Sequence, residues 1–166
     1  MVLIVSGLPG SGKSFFAERL TNILDADYVN SDRLRKELFP TRTYSDHEKE
    51  MVYQAMLKRM AAALKNGRNL VLDATFHKKS TRELFKENTK ENIRFIEVWA
   101  DEPIIKKRLK KSRPYSEADY KIHQLIKQEW EPMEEDHLRL KSTNDNIDAM
   151  LQKAVIYLKD DTKGNR

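Results

Sequence analysis

Eight consecutive residues near the N-terminus, Gly7-Leu8-Pro9-Gly10-Ser11-Gly12-Lys13-Ser14, fit the pattern G-x-x-x-x-G-K-[ST] at every specified position. That pattern is a cradle for the phosphates of a nucleoside triphosphate. Its glycines open backbone angles closed to other residues, so successive N–H groups can turn inward around phosphate oxygens. A helix beginning at the loop points its positive dipole end at the same anion. In such a loop the lysine, here Lys13, reaches the β- and γ-phosphates, and the hydroxyl of Ser14 takes a place on Mg²⁺. Gly7, Pro9, Gly10, Ser11, Gly12, Lys13 and Ser14, with Phe15 directly after them, are the expected ATP-binding residues.

Holding a triphosphate is not yet a reaction. Phosphoryl transfer also needs a group that orients or deprotonates the acceptor, and cations for the charge spreading over the transferred group. Asp32 follows a short strand pattern, where parallel-sheet proteins gather their sites, and Arg35 lies three residues on, on the same helix face. Asp73 ends the apolar run Leu70-Val71-Leu72, a placement from which an acid can reach Mg²⁺. Thr75 and His77 extend the same rim, His77 as a loop residue rather than a base. Lys106, Lys107, Arg108, Lys110, Lys111 and Arg113 fall within eight positions. Such a run is either a solvated helix face or an anion-facing segment. Beside a phosphate loop, Arg108 and Arg113 are placed to act from a lid over the ATP phosphates, excluding water.

These residues require a particular frame. Val2–Ser6 is an apolar run ending at glycine, as expected of a strand buried on both faces of a parallel sheet. Further strands are expected over 27–30, 69–73, 93–99 and 138–142. Helical periodicity fills the intervals, with start signals at Ser31, Ser45, Ser80, Asp101 and Ser116. The order β-α-β-α-α-β-α-β-α-α-β-α predicts an α/β fold: one domain over 1–159, a parallel five-stranded sheet with helices on both faces and a helical lid. Residues 160–166 read as a polar tail.

Composition narrows the classes. The 166 residues are 39% hydrophobic and 34% charged, which suits a single α/β domain with a well-solvated surface. With no cysteine there is no disulfide framework, thiolate metal site or catalytic thiol. No run approaches the ~18 apolar residues of a membrane span, so a cytoplasmic location is expected. A guanine-reading Asn-Lys-x-Asp element is absent, which argues against a nucleotide switch. The net charge of +5 gives a nucleic-acid partner a slight edge over a small anionic one.

Taken together, Gly7–Ser14, Asn30-Ser31-Asp32-Arg33-Leu34-Arg35 and Leu70-Val71-Leu72-Asp73-Ala74-Thr75 resemble the small P-loop kinases typified by the phage polynucleotide 5′-kinase domain and its "predicted kinase" relatives, a group with AAA-type ATP binding that is related to the zeta-type toxins. The resemblance spans nearly the whole chain and implies a P-loop NTPase fold. By position, it makes Asp32 the catalytic acid that activates the acceptor hydroxyl, alongside Lys13 and Arg108. It puts Arg35 on the substrate and Arg108 and Arg113 on ATP, while Ser14 and Asp73 are the expected Mg²⁺ residues from their places in the phosphate loop and at the strand end. The polynucleotide enzyme has Asp-Thr-Asn where this chain has Asp73-Ala74-Thr75, with Thr75 as the expected substrate contact. The function implied is ATP-dependent transfer of a γ-phosphoryl group to a hydroxyl, with the 5′-hydroxyl of a polynucleotide as the expected acceptor. A small-molecule hydroxyl acceptor, or ATP hydrolysis without an acceptor, are the alternatives.

Overall fold

Residues 1–43, 45–111 and 119–160 are described by the computed structural model of the protein. Strand β1 (Val2–Ser6) is followed by α1 (Lys13–Leu24), β2 (Asp27–Asn30), α2 (Ser31–Leu38), α3 (Asp46–Lys65) and β3 (Leu70–Asp73). Then come α4 (Lys79–Glu87), β4 (Ile93–Trp99), α5 (Glu102–Leu109), α6 (Tyr120–Glu129), β5 (Leu138–Lys141) and α7 (Ile147–Asp160). All strand pairings are parallel, in the order β2-β3-β1-β4-β5. The expected element order is the observed one.

Period-2 alternation in β1 divides the core. Val2 and Ile4 face one side and pack with Leu70, Leu72 and Phe95 against α2, α3 and α4, through Leu34, Val52, Met56, Met60 and Phe85. Leu3 and Val5 face the other side and pack with Val71, Ile96 and Val98 against Phe16, Ala17 and Leu20 of α1 and Met150, Ala154 and Leu158 of α7. Since β1 is covered on both faces, the chain leaves the sheet at the strand's carboxyl end, and the phosphate-loop sequence begins there. A smaller cluster, Ala100, Ile105 and Leu109, fastens α5 to the rest. Among the described residues no helix is long and apolar enough to cross a membrane.

Several helix starts differ from the sequence expectation. Asn30, not Ser31, caps α2, its side chain accepting from Arg33 N. Ser45 caps α3 as expected, accepting from Glu48 N at 3.2 Å. The reciprocal half of that capping box is missing, because the Glu48 carboxylate takes Thr43 N and Oγ1 instead. The start signal at Ser80 is overridden. Helix α4 begins at Lys79 behind Lys78, with no side-chain cap. Asp101 stands at the N-cap of α5 without a side-chain bond, and Asp119 caps α6 through Ile122 N. Ser116 lies outside the described residues.

Within α4, Arg82 is fully buried. Its guanidinium donates to the carbonyls of Phe76 at 2.8 Å, Glu131 at 3.2 Å and Pro132 at 3.1 Å, and its Nε lies 3.4 Å from Glu135 Oε2. One side chain thereby ties the loop after β3 to the segment after α6. Replacing Arg82 with Met leaves the buried Phe76 carbonyl without its donor and takes away one of the two cations beside Glu135, the other being Lys86. The expected loss is about 3–5 kcal/mol of unfolding free energy by chemical denaturation; a loss under about 1 kcal/mol would show that the buried cation is dispensable.

Candidate active site

The loop Gly7–Ser14 leaves β1 and folds tightly. Ser11 N donates to Leu8 O at 3.1 Å, Gly7 N donates to Thr75 O at 3.4 Å, and Phe16 N closes on Gly12 O at 3.1 Å. Gly10 and Gly12 adopt φ of 83° and 91°, in the region that disfavours side chains. At Gly7 the constraint is space, since a Cβ there would stand 2.4 Å from Val98 O of the neighbouring strand. A Cβ at Gly10 would meet Ile105 at 2.9 Å, so α5 packs directly against the loop. Lys13 begins α1, whose N-terminal N–H groups face the loop.

The loop forms one wall of a cavity of about 770 Å³, within the ~300–1,000 Å³ typical of small-molecule sites. Pro9, Gly10, Gly12, Lys13, Ser14 and Phe15 line it, together with Asp32, Arg35, Thr75, His77 and Arg108. Gly7 and Ser11 are buried beneath the loop. Phe15 is half exposed, with the Arg19 guanidinium 3.3 Å from its ring centroid. Arg113 lies outside the described residues.

Asp73 is fully buried. Its Oδ2 accepts from the Tyr28 hydroxyl at 2.5 Å and Asn30 Nδ2 at 2.8 Å, and Asn30 Nδ2 also lies 3.3 Å from Ser14 Oγ. Asn30 therefore joins the acid at the end of β3 to the last hydroxyl of the phosphate loop. Burial and the adjacent Asp73 charge raise the Tyr28 pKa far above its usual value, so the phenol stays a donor. Among the described residues Oδ1 of Asp73 has no hydrogen-bond partner. An orphaned carboxylate oxygen beside a loop hydroxyl fits a hard cation such as Mg²⁺. Among the described residues no cluster of three His, Cys, Asp or Glu could hold an ion, so such a cation would draw its other ligands from phosphate and water.

Across the cavity, Arg35 is held from two sides. Its Nη1 donates to Asp32 Oδ1 at 3.0 Å, and its Nε lies 3.1 Å from Glu48 Oε1. Arg35 and Glu48 are both buried, whereas the Asp32 side chain retains about a quarter of its exposure. Thr75 Oγ1 lies 3.2 Å from His77 Nδ1, whose Nε2 lies 3.3 Å from Glu129 Oε2 of α6. Burial pushes the His77 pKa below its ordinary value, against the opposing pull of Glu129. Arg108 donates to Gly10 O at 3.1 Å, Ser142 Oγ at 3.0 Å and Thr143 O at 3.0 Å, and its partial burial lowers its pKa. It thus bridges the phosphate loop and the segment after β5.

A family profile described as an AAA domain matches residues 2–133. The chain belongs to that family. The match covers the phosphate loop, Asp32, Arg35, Asp73 and Arg108, and stops before β5. Among solved structures, this AAA-domain chain resembles a gluconokinase from Sinorhizobium meliloti 1021, with 16% identity, a TM-score of 0.76, and coverage of 98% of this chain and 94% of that one. It also resembles the Mycobacterium tuberculosis APS kinase CysC bound to AMPPNP and APS, with 18% identity, a TM-score of 0.70, and coverage of 95% and 97%. Chaetomium thermophilum Kti12 in complex with ADP-AlF3 gives 17% identity, a TM-score of 0.67, and coverage of 96% and 98%. At these identities the likeness establishes the fold, which is the single-domain P-loop NTPase fold.

Sequence reasoning did not find Tyr28, Asn30, Glu48, His123 or Ser142. Asn30 lay inside the quoted Asn30–Arg35 segment but carried no assigned task. Glu48 stands three residues after Ser45, at capping-box spacing, and its reach to Arg35 is a tertiary contact without a local signal. His123 is fully buried, with Nδ1 3.0 Å from Pro9 O and Nε2 3.4 Å from Glu102 Oε2, so α6 touches the phosphate loop directly.

The lowered pKa of His77 has a sign that can be checked. The unfolded chain takes up a proton near pH ~6.5, whereas folded His77 takes it up only at lower pH. The contribution of His77 is therefore present above about pH 6.5 and is lost as pH falls toward the folded pKa. Denaturation midpoints at about pH 7.5 and about pH 5.5 should drop less in His77→Gln than in the unmodified chain. Equal drops would assign the acid sensitivity elsewhere.

Proposed function

We propose that the protein is an ATP-dependent kinase that transfers the γ-phosphoryl group of ATP to a hydroxyl acceptor, the 5′-hydroxyl of a polynucleotide in the first instance. The observation that carries the reading is that Asp32, a partly exposed carboxylate fixed by Arg35, lines the same cavity as Lys13 and Ser14. A phosphate cradle alone would serve any nucleotide-binding protein; a positioned carboxylate in the cavity beside it is what transfer to an alcohol requires.

The residues divide the work. The N–H groups of the loop and the N-terminus of α1 hold the triphosphate, and Lys13 neutralises the oxygens of the leaving and transferred groups. The acceptor hydroxyl hydrogen-bonds to Asp32 and gives up its proton to that carboxylate as its oxygen bonds to the γ-phosphorus. The bond from that phosphorus to the β–γ bridging oxygen breaks, and ADP departs. Mg²⁺, which Ser14 and Asp73 are placed to hold, supplies further neutralisation of the phosphates when bound. Arg35 and Thr75 face the acceptor, while Arg108 supplies positive charge from α5, and Arg113, outside the described residues, is proposed as a second ATP contact. Helices α5 and α6, packed on the loop through Ile105, Leu109 and His123, keep bulk water from competing.

A second reading, a small-molecule hydroxyl acceptor, is favoured by the volume of the cavity and by two structural relatives, a gluconokinase and an APS kinase. Incubation with γ-labelled ATP and parallel 5′-hydroxyl oligonucleotides, nucleosides, sugars and sugar acids separates the two. Labelled oligonucleotide alone supports the first reading, a labelled small molecule the second, and inorganic phosphate alone would sink both. Asp32→Ala is expected to lower transfer by about 10²–10⁴-fold while leaving the ATP dissociation constant within about twofold. Lys13→Ala is expected to weaken ATP binding as well. Lost ATP binding in Asp32→Ala would make the carboxylate a structural element of the nucleotide site.

A further inference from the structure

Lys49 is a partly buried cation that lines the cavity, and neither the loop nor the acceptor acid needs it. It lies in the first turn of α3, where the helix dipole opposes positive charge. The charged or titratable groups around it are otherwise engaged. Glu48 is turned to Arg35 and Thr43, Asp32 is paired with Arg35, and His77, whose pKa Lys49 helps to lower, is tied to Thr75 and Glu129. Among the described residues Lys49 has no ion-pair or side-chain hydrogen-bond partner. The other cations of this wall are matched, Arg33 by Glu18 and Arg35 by Asp32 and Glu48.

A cation that is partly desolvated, set against its own helix dipole and left without a counter-ion costs free energy in the empty protein. A bound anion offsets that cost. The nucleotide phosphates belong to the loop and Lys13. Lys49 lines the same cavity as Asp32, Arg35, Tyr53 and His77, follows directly on the Glu48 that holds Arg35, and lies close enough to His77 to act on its charge, which puts it with the acceptor acid. We propose that Lys49 forms an anion subsite for the acceptor, so that the hydroxyl compound carries a phosphate or carboxylate group near the hydroxyl to be phosphorylated. This rests on the kinase reading above and narrows its substrate class.

Two matched pairs of probes test the inference and distinguish the source of the anion: thymidine 3′-monophosphate against thymidine, and gluconate against glucose. In calorimetric titration of the protein loaded with ADP and Mg²⁺, the anionic member of one pair is expected to bind more tightly than its neutral partner. Lys49→Met should remove that preference, weakening the anionic probe by about 10–100-fold and leaving the neutral probe and ADP unchanged. In transfer assays the same variant should raise the KM of the anionic acceptor more than it lowers kcat. Lys49→Arg should restore most of the preference, which a merely structural role would not predict. Equal binding of both members of each pair, or equal weakening of both by Lys49→Met, overturns the subsite. Transfer without anion preference would leave the kinase reading standing and this inference refuted. Lys49-dependent anion binding without transfer to any acceptor would do the reverse.

Discussion

Everything at the carboxyl edge of the sheet depends on one buried charge. Asp73 sits at the end of β3 with no exposure to water, and such a carboxylate is tolerated only where donors replace its lost hydration. Tyr28 and Asn30 supply them from β2, and Asn30 extends the link to Ser14. The same Asn30 caps α2 through its other amide atom, accepting from Arg33 N. The position of β2 against β3, the start of the helix bearing Asp32, and the last residue of the phosphate loop are therefore coupled through two side chains. Parallel pairing of Asn30 with Asp73 brings those side chains together. A register slip of one residue would turn both away from the site.

A second tier of buried polar contacts fixes the opposite wall. Arg35 would be costly to bury alone. With Asp32 on one side and Glu48 on the other it becomes a rigid strut between α2 and α3. Glu48 in turn holds Thr43, so the loop entering α3 is drawn toward the cavity. The net effect is a carboxylate, Asp32, held in place by a neighbour that is itself held. That is the condition for placing a group to within fractions of an ångström. Among the described residues Lys49, one residue beyond Glu48, is the member of this tier without an ion-pair or side-chain hydrogen-bond partner.

The third wall comes from chain far away in sequence. Arg108 spans Gly10, Ser142 and Thr143, and His123 reaches Pro9, so α5 and α6 are anchored to the loop at two points. Both contacts use carbonyls of the loop rather than its N–H groups. Arg82, joining the segment after α6 to the loop after β3, makes the base of the same assembly.

The phosphate loop, the order of elements and the parallel sheet were legible in the residues themselves, because each has a local cause: glycine's backbone freedom, apolar runs of strand length, and 3.6-residue periodicity. The candidate residues Lys13, Asp32, Arg35, Asp73 and Arg108 could also be read there, since each stands at a fixed offset from a strand end or a helix break. Tertiary structure alone decided what holds them. A serine before a helix looks like a cap whether or not a better one precedes it; at Ser31 the Asn30 side chain takes the cap, and α4 begins at Lys79, one residue before Ser80, with no side-chain cap. Glu48 looks like half of a capping box until a buried guanidinium claims its charge. The loop was written locally, in the conformations its own backbone can adopt. Its walls were not, because burial makes a charge choose its partner by distance in space rather than along the chain.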